Sequence, residues 1–146
     1  MAITHISVGD WETLGPAASE IRRKVFIDEQ NVPQEEEWDG LDPESLHFLA
    51  MLDGQPVGTA RLLPDAHIGR VAVLANARGT GIGVLLMQAA IEAARHAGHS
   101  KVALSAQVQA LAFYERLGFV AHGNEFLDAG IPHREMTLSL TPLQVN

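Results

Sequence analysis

A chain of 146 residues that is 47% hydrophobic is long enough and apolar enough to bury a core of its own, which excludes a disordered segment. The lack of cysteine removes disulfide frameworks, thiolate zinc sites and cysteine nucleophiles, and a formal charge of -8 argues against binding to nucleic-acid phosphates, which needs clustered Lys and Arg. No apolar run approaches the roughly 20 residues of a membrane span, and Met1-Ala2-Ile3-Thr4-His5 lacks the regions of a secretory leader, so a cytoplasmic location is expected.

Ile3–Val8 reads as a first strand. Trp11, Leu14, Ala18, Ile21 and Val25 then fall at helical spacing. Gly15-Pro16 interrupts this stripe, so the helix is expected to start with Pro16 in its first turn and to end near Gln30, ahead of Asn31-Val32-Pro33. Glu35, Glu36, Glu37, Asp39 and Asp42 follow within eight positions. They form either a solvated loop or short helix, or a patch that attracts a cationic amine. His47–Leu52 and Gln55–Leu63 flank Asp53-Gly54, a pair that suits a type I′ hairpin turn. Ile68–Leu74 is a further strand.

Gly81–His96 is an amphipathic helix. Its apolar stripe is Ile82, Leu85, Leu86, Ala89 and Ala93, with Gln88, Glu92 and Arg95 facing away and Gly98 as the stop. Lys101–Ala106 is a strand, Ala110–Leu117 a helix and Phe119–His122 a strand. In the last strand, Arg134–Leu140, Met136, Leu138 and Leu140 share a face. This order implies an α/β fold with a mixed central sheet and helices on its faces, built as one domain over residues 1–146.

The segment from Gly69 to Gly83 carries most of the functional information. A strand runs into a turn holding Gly79, Gly81 and Gly83, and a long helix follows. The first amides of a helix have no intrahelical partner and form an anion site, which glycines let a diphosphate approach closely. A Walker A loop would need Gly-Lys-Ser/Thr, but Gly83 is followed by Val84. A dinucleotide fingerprint would need its third glycine three positions after the second, whereas these glycines alternate.

Arg78-Gly79-Thr80-Gly81-Ile82-Gly83 resembles the Arg/Gln-x-x-Gly-x-Gly/Ala motif of the GCN5-related N-acetyltransferases. Gln107, Ala110, Tyr114, Gly118 and Phe119 match the spacing of a second motif of that family, with Gln107 where Asn is common. Arg22 through Pro33 looks like the ElaA/YjcF-type branch. The resemblance implies a mixed, largely antiparallel sheet splayed between Ile68–Leu74 and Lys101–Ala106, with helices on both faces. It implies acetyl-CoA as acetyl donor and direct transfer to an amine in a ternary complex.

It also assigns positions. Gly79, Thr80, Gly81, Ile82 and Gly83 would hold the pyrophosphate, with Arg78 adding a charged contact or standing as a surface arginine. The backbone of Val71 and Val73 would pair with the pantetheine arm, which Gln107 would also contact, and one of these N–H groups would polarise the thioester carbonyl. Tyr114 stands at the family's acid position, or packs in the core. His133, after Pro132, would act as base toward the amine, or is a strand-end surface residue. Arg70 would bind an anion on the acceptor, or face solvent. His47 reads as structural, and no His/Asp/Glu spacing specifies a metal.

Two rival readings are a non-catalytic acyl-CoA-binding module, which would release no thiol, and a structural partner domain indifferent to CoA. The acceptor class stays open among small metabolites, peptide N-termini, protein lysines and aminoglycosides, and a homodimer is compatible with the chain.

Overall fold

The computed structural model describes residues 3–141; Met1-Ala2 of the expected leader-free start, and residues 142–146, lie outside the described residues. The first sheet has the order β1 (Thr4–Gly9), β2 (Leu46–Leu52), β3 (Gln55–Leu62), β4 (Ile68–Val73). The second has the order β5 (Lys101–Gln107), β7 (Ile131–Ser139), β6 (Val120–Asp128). Every ladder is antiparallel. β4 and β5 lie side by side, joined by one parallel bridge between His67 and Ala103, where the Ala103 amide donates to Ala66 O at 3.1 Å. The sheet is thus splayed where the resemblance implies, and among the described residues its mixed character resides in that bridge.

The predicted hairpin is formed by β2 and β3. Asp53 at φ 49° and Gly54 at φ 81° supply the two left-handed residues of a type I′ turn. Alternation along β2 gives its two faces to different helices. Leu49 joins Leu14, Ile21 and Val25 of the first helical segment, while Phe48 and Ala50 join Ile82, Leu86 and Met87 of α3 (Ile82–His96). Leu104 and Met136 extend that second cluster into the other sheet, so side chains hold the two sheets together. In α3 the buried positions are Ile82, Leu86, Met87, Ala90, Ile91 and Ala94, and Leu85 is exposed. The buried arc is therefore turned from the expected stripe, because α3 packs over β2, β3, β4 and β5 together.

The first helix corrects the sequence reading. α1 spans Trp11–Arg22 with Asp10 as N-cap, its carboxylate accepting from the Thr13 amide at 2.9 Å. Gly15-Pro16 lies inside it. The Trp11 ring folds over Gly15 so closely that a Cβ there would sit 2.9 Å from Trp11 Cδ2. The glycine thus marks a close approach rather than a helix start. The chain then widens into π-helical turns at Arg23–Glu29, which carry Phe26 and Gln30 toward the second sheet. β6 also differs from expectation, since it runs to Asp128. Gly123 makes a bulge in it rather than ending it.

The acidic segment forms the expected short helix, with Glu35 and Glu36 exposed, but its other carboxylates are paired rather than solvated. It contains α2 (Gln34–Glu37), and three of its carboxylates close a ring with three arginines. Arg22 meets Glu37 at 2.5 Å and Asp42 at 2.7 Å; Arg61 meets Asp42 at 3.2 Å and Asp39 at 2.8 Å; Arg70 meets Asp39 at 3.2 Å and Glu37 at 3.6 Å. Burial alone would raise the Asp39 carboxyl. Hydrogen bonds from Arg61 and the Leu41 amide, with the charges of Arg61 and Arg70, outweigh it and hold the group at about 2. Asp42 is lowered in the same way: burial opposes, but Arg22 and Arg61 prevail. Trp11 and His47 seal the ring's inner side. The Arg22 guanidinium lies 5.4 Å from the Trp11 ring centroid, and His47 Nε2 donates to Asp42 O at 2.9 Å.

Removing one partner leaves an uncompensated buried charge, so Arg22→Ala should destabilise the fold by about 3–5 kcal/mol. Urea denaturation checks this, and a loss below about 1 kcal/mol would show the ring to be dispensable. Asp39 has a folded pKa below its unfolded value. Its contribution is therefore complete above about pH 4 and should fade as pH falls through about 2. The acid limb of the unfolding curve should shrink in Asp39→Asn.

Candidate active site

The site is built on a defect in β4. Its register with β3 passes from Thr59–Ala72 to Arg61–Gly69, so Arg70 and Val71 both stand opposite Ala60. This is a β-bulge, with Arg70 in the left-handed region at φ 49°. The other edge of β4 faces β5 across the splay. A cavity of about 530 Å³ opens there, walled by β4, β5, β7 and the widened turns after α1. Five residues to which the resemblance assigns a site role line it together: Arg70, Val71, Gln107, Tyr114 and His133.

Tyr114 sits on α4 (Leu111–Arg116), edge-on to Phe113 and Phe119 at ring separations of 5.0 and 6.0 Å. Its hydroxyl makes no hydrogen bond among the described residues. Burial pushes the phenol up to about 12, so it keeps its proton at neutral pH. Packing residue and proton donor are compatible roles here: the ring packs while the hydroxyl borders the cavity.

His133 lies within β7, paired with Gln107 of β5 and Phe126 of β6, rather than opening the strand. It is 8% exposed, and its ring stacks on Phe126 at 5.9 Å. Nδ1 lies 2.6 Å from Ile131 O. That bond requires Nδ1 to carry the hydrogen, so in the neutral ring Nε2 is the nitrogen with the lone pair. Gln107 spans the splay, its Nε2 donating to Gln30 Oε1 at 2.9 Å, and its Oε1 accepts from Gln109 at 2.5 Å. Arg70 gives Nη2 to Glu36 O, Glu37 O and Asp39 Oδ2 at 3.0–3.2 Å, so its side chain is already drawn to the acidic segment.

The remaining predicted positions gather beyond the cavity, at the turn from β4 to α3. Gly81 caps α3 at φ 84°, and no side chain caps this end. Among the described residues, the amides of 79–84 make no backbone hydrogen bond outside the helix. A Cβ at Gly79 or Gly81 would meet no protein atom within 4 Å, so the face is open. Unpaired amides at the N-terminus of a 15-residue helix suit a diphosphate in chemistry and in access. The other positions serve the turn itself. Thr80 Oγ1 donates to Ala77 O at 2.5 Å, and Gly83 leaves room for Phe113, whose Cζ would lie 3.2 Å from a Cβ there. Arg78 donates from Nε to Val73 O at 2.9 Å and pairs with Glu29 at 2.8 Å.

Glu36, Glu37 and Asp39 of the acidic segment line it as well, and so do two residues to which the sequence gives no role, Gln30 and Asp128. Asp128 could have been placed by the turn that follows it. Ala129 at φ 52° and Gly130 at φ 75° join β6 to β7, and only Gly130 signals this in sequence.

Tyr114 is the only tyrosine in the chain, so tyrosinate absorbance reports it alone. It should titrate near pH 12 in the native protein and near 10 after unfolding. Because the folded value is the higher one, its contribution to stability is complete below about pH 10 and should be lost as pH rises through about 12. A native transition near 10 would show the phenol to be solvated.

The chain and its fold are similar to those of known proteins. The uncharacterized N-acetyltransferase YjcF of Bacillus subtilis (strain 168) is 43% identical over 120 residues, covering 80% of this chain and 86% of that protein. The crystal structure of an acyl-CoA N-acyltransferase from Pseudomonas aeruginosa superposes with a TM-score of 0.84 at 35% identity, covering 94% of this chain and 100% of that one. Escherichia coli ElaA superposes with a TM-score of 0.83 at 28% identity, covering 94% of this chain and 100% of its own. Residues 13–140 match the acetyltransferase (GNAT) domain, and the chain belongs to that family of acyl-CoA-dependent acyltransferases.

Proposed function

We propose that the chain works as one domain over residues 1–146, in the cytoplasm, moving an acetyl group from acetyl-CoA to a primary amine by direct attack in a ternary complex. The observation that carries this reading is the cavity at the unladdered edge of β4, lined by Val71, Tyr114 and His133, with the open amides of α3 beyond it at the end of the same strand. Family membership supports acyl transfer from acyl-CoA; the acetyl group, the amine and the residue roles are the proposal.

In this reading the amides of Gly79, Gly81, Ile82 and Gly83 receive the pyrophosphate. Arg78 turns from Glu29 and Val73 O to join them, which frees Val73 to pair, with Val71, along the pantetheine arm. Gln107 flanks that arm from β5. The Val71 N–H stabilises the carbonyl oxygen as negative charge develops there. His133 Nε2 takes a proton from the amine as the N–C bond forms and the C–S bond breaks. Tyr114 donates to the departing sulfur. A phenol near 12 gives its proton reluctantly to a thiolate whose own value is about 8.5, so Tyr114 acts chiefly as a hydrogen-bond donor at the moment of cleavage.

Acetyl-CoA at a hundredfold excess over Kd should stabilise the protein by about 2.7 kcal/mol, seen as a rise in Tm. Tyr114→Phe and His133→Ala should each lower kcat about 10²-fold or more while leaving acetyl-CoA affinity within about threefold. A Tm indifferent to millimolar acetyl-CoA would sink the reading. A loss below about threefold in either variant, with chemistry rate-limiting, would remove that residue from the mechanism.

A further inference from the structure

Glu29 and Gln30 close the π-helical turns after α1, and each is tied to a distant residue of the proposed donor site. Glu29 Oε1 accepts from Arg78 Nη2 at 2.8 Å, 49 positions away, at the turn from β4 to α3. Gln30 Oε1 accepts from Gln107 Nε2 at 2.9 Å, 77 positions away, at the end of β5. One short segment is therefore fastened to both sides of the splay. Arg78 is held from a second direction as well, since its Nε donates to Val73 O at 2.9 Å.

The chemistry of the two ties matches that of the donor. A carboxylate on a guanidinium is the internal equivalent of a phosphate on it. The side-chain carbonyl of Gln30 offers Gln107 the same acceptor that an amide of the pantetheine arm would offer. The ion pair does not serve the core: the side chains of Arg78 and Glu29 are 45% and 39% exposed, and among the described residues that of Glu29 has no other partner. Phe26, Gln30 and Val32 of the same segment line the cavity, so the ties also set the position of that wall.

We infer that Glu29 and Gln30 form a latch that fills the donor's place on Arg78 and Gln107, and that the donor opens it by supplying its own phosphate and amide carbonyl. This rests on the proposed binding of acetyl-CoA and adds to it an internal competitor. The apparent affinity for the donor is then reduced by the fraction of molecules in the latched state. An exposed ion pair and a single hydrogen bond are each modest, so the donor can displace them. Because the latched segment is a wall of the cavity, the acceptor meets that wall in its final position only after the donor is in place.

Calorimetric titration with CoA tests the latch. Glu29→Gln keeps the shape of the side chain and removes its charge, and Gln30→Ala removes the amide. Each should lower the Kd for CoA about threefold, by removing a competitor present before binding. The gain from Glu29→Gln should vanish in an Arg78→Ala background, and the gain from Gln30→Ala in a Gln107→Ala background. A Kd unchanged or raised in either variant would overturn the latch and leave the proposed donor intact. So would a gain that survives loss of the partner, because Glu29 would then act by repelling an anion through space. A wild-type protein that binds no CoA would instead overturn donor binding, and the latch with it.

Discussion

A closed ring of alternating charges holds the working half of this molecule together. Arg22 comes from α1, Arg61 from β3 and Arg70 from β4, and the carboxylates all come from the one segment between Glu37 and Asp42. Taking any of these charges out of water costs several kcal/mol, and the cost is offset only because each meets two opposite partners. That requirement fixes where the acidic segment can lie: against the sheet, beside the bulge, as one wall of the cavity. It also holds Arg70 in a backbone region that ordinary residues avoid, at a cost of about 1–3 kcal/mol.

The remaining walls follow from two irregularities of backbone pairing. The π-helical turns after α1 push Phe26 and Gln30 outward, and Gln30 meets Gln107 from the opposite sheet. The bulge in β4 breaks the alternation of that strand beside the splay. Regular helices and ladders satisfy their own polar groups, so a site that must offer backbone N–H groups to a ligand is found where regularity fails.

What could be read from sequence was what depends on near neighbours. Asp53-Gly54 specifies its turn by local φ preference, and the glycines of 79–83 announce a strand-to-helix turn by the same physics. Tyr114 is named through motif spacing and His133 through its place after Pro132, and the structure puts them on one cavity. The ring is invisible in sequence because it joins residues 15 to 33 positions apart, from Arg22–Glu37 to Arg70–Glu37, and no local spacing reports such pairs. Gly15-Pro16 was read as a helix start because propensity is local, whereas the reason for Gly15 is the Trp11 ring above it. The short reading of β6 failed likewise, since Gly123 serves as well in a bulge as in a turn.

The single bridge between His67 and Ala103 has a consequence for how the molecule breathes. Each sheet closes its own hydrogen-bond ladders, and the two share a side-chain core but almost no backbone pairing. Amide exchange should therefore divide at this seam into two protection blocks, because one sheet can open without breaking a ladder of the other. A molecule lying along the seam would couple the blocks, so that occupancy is felt as slowed exchange in strands it never touches.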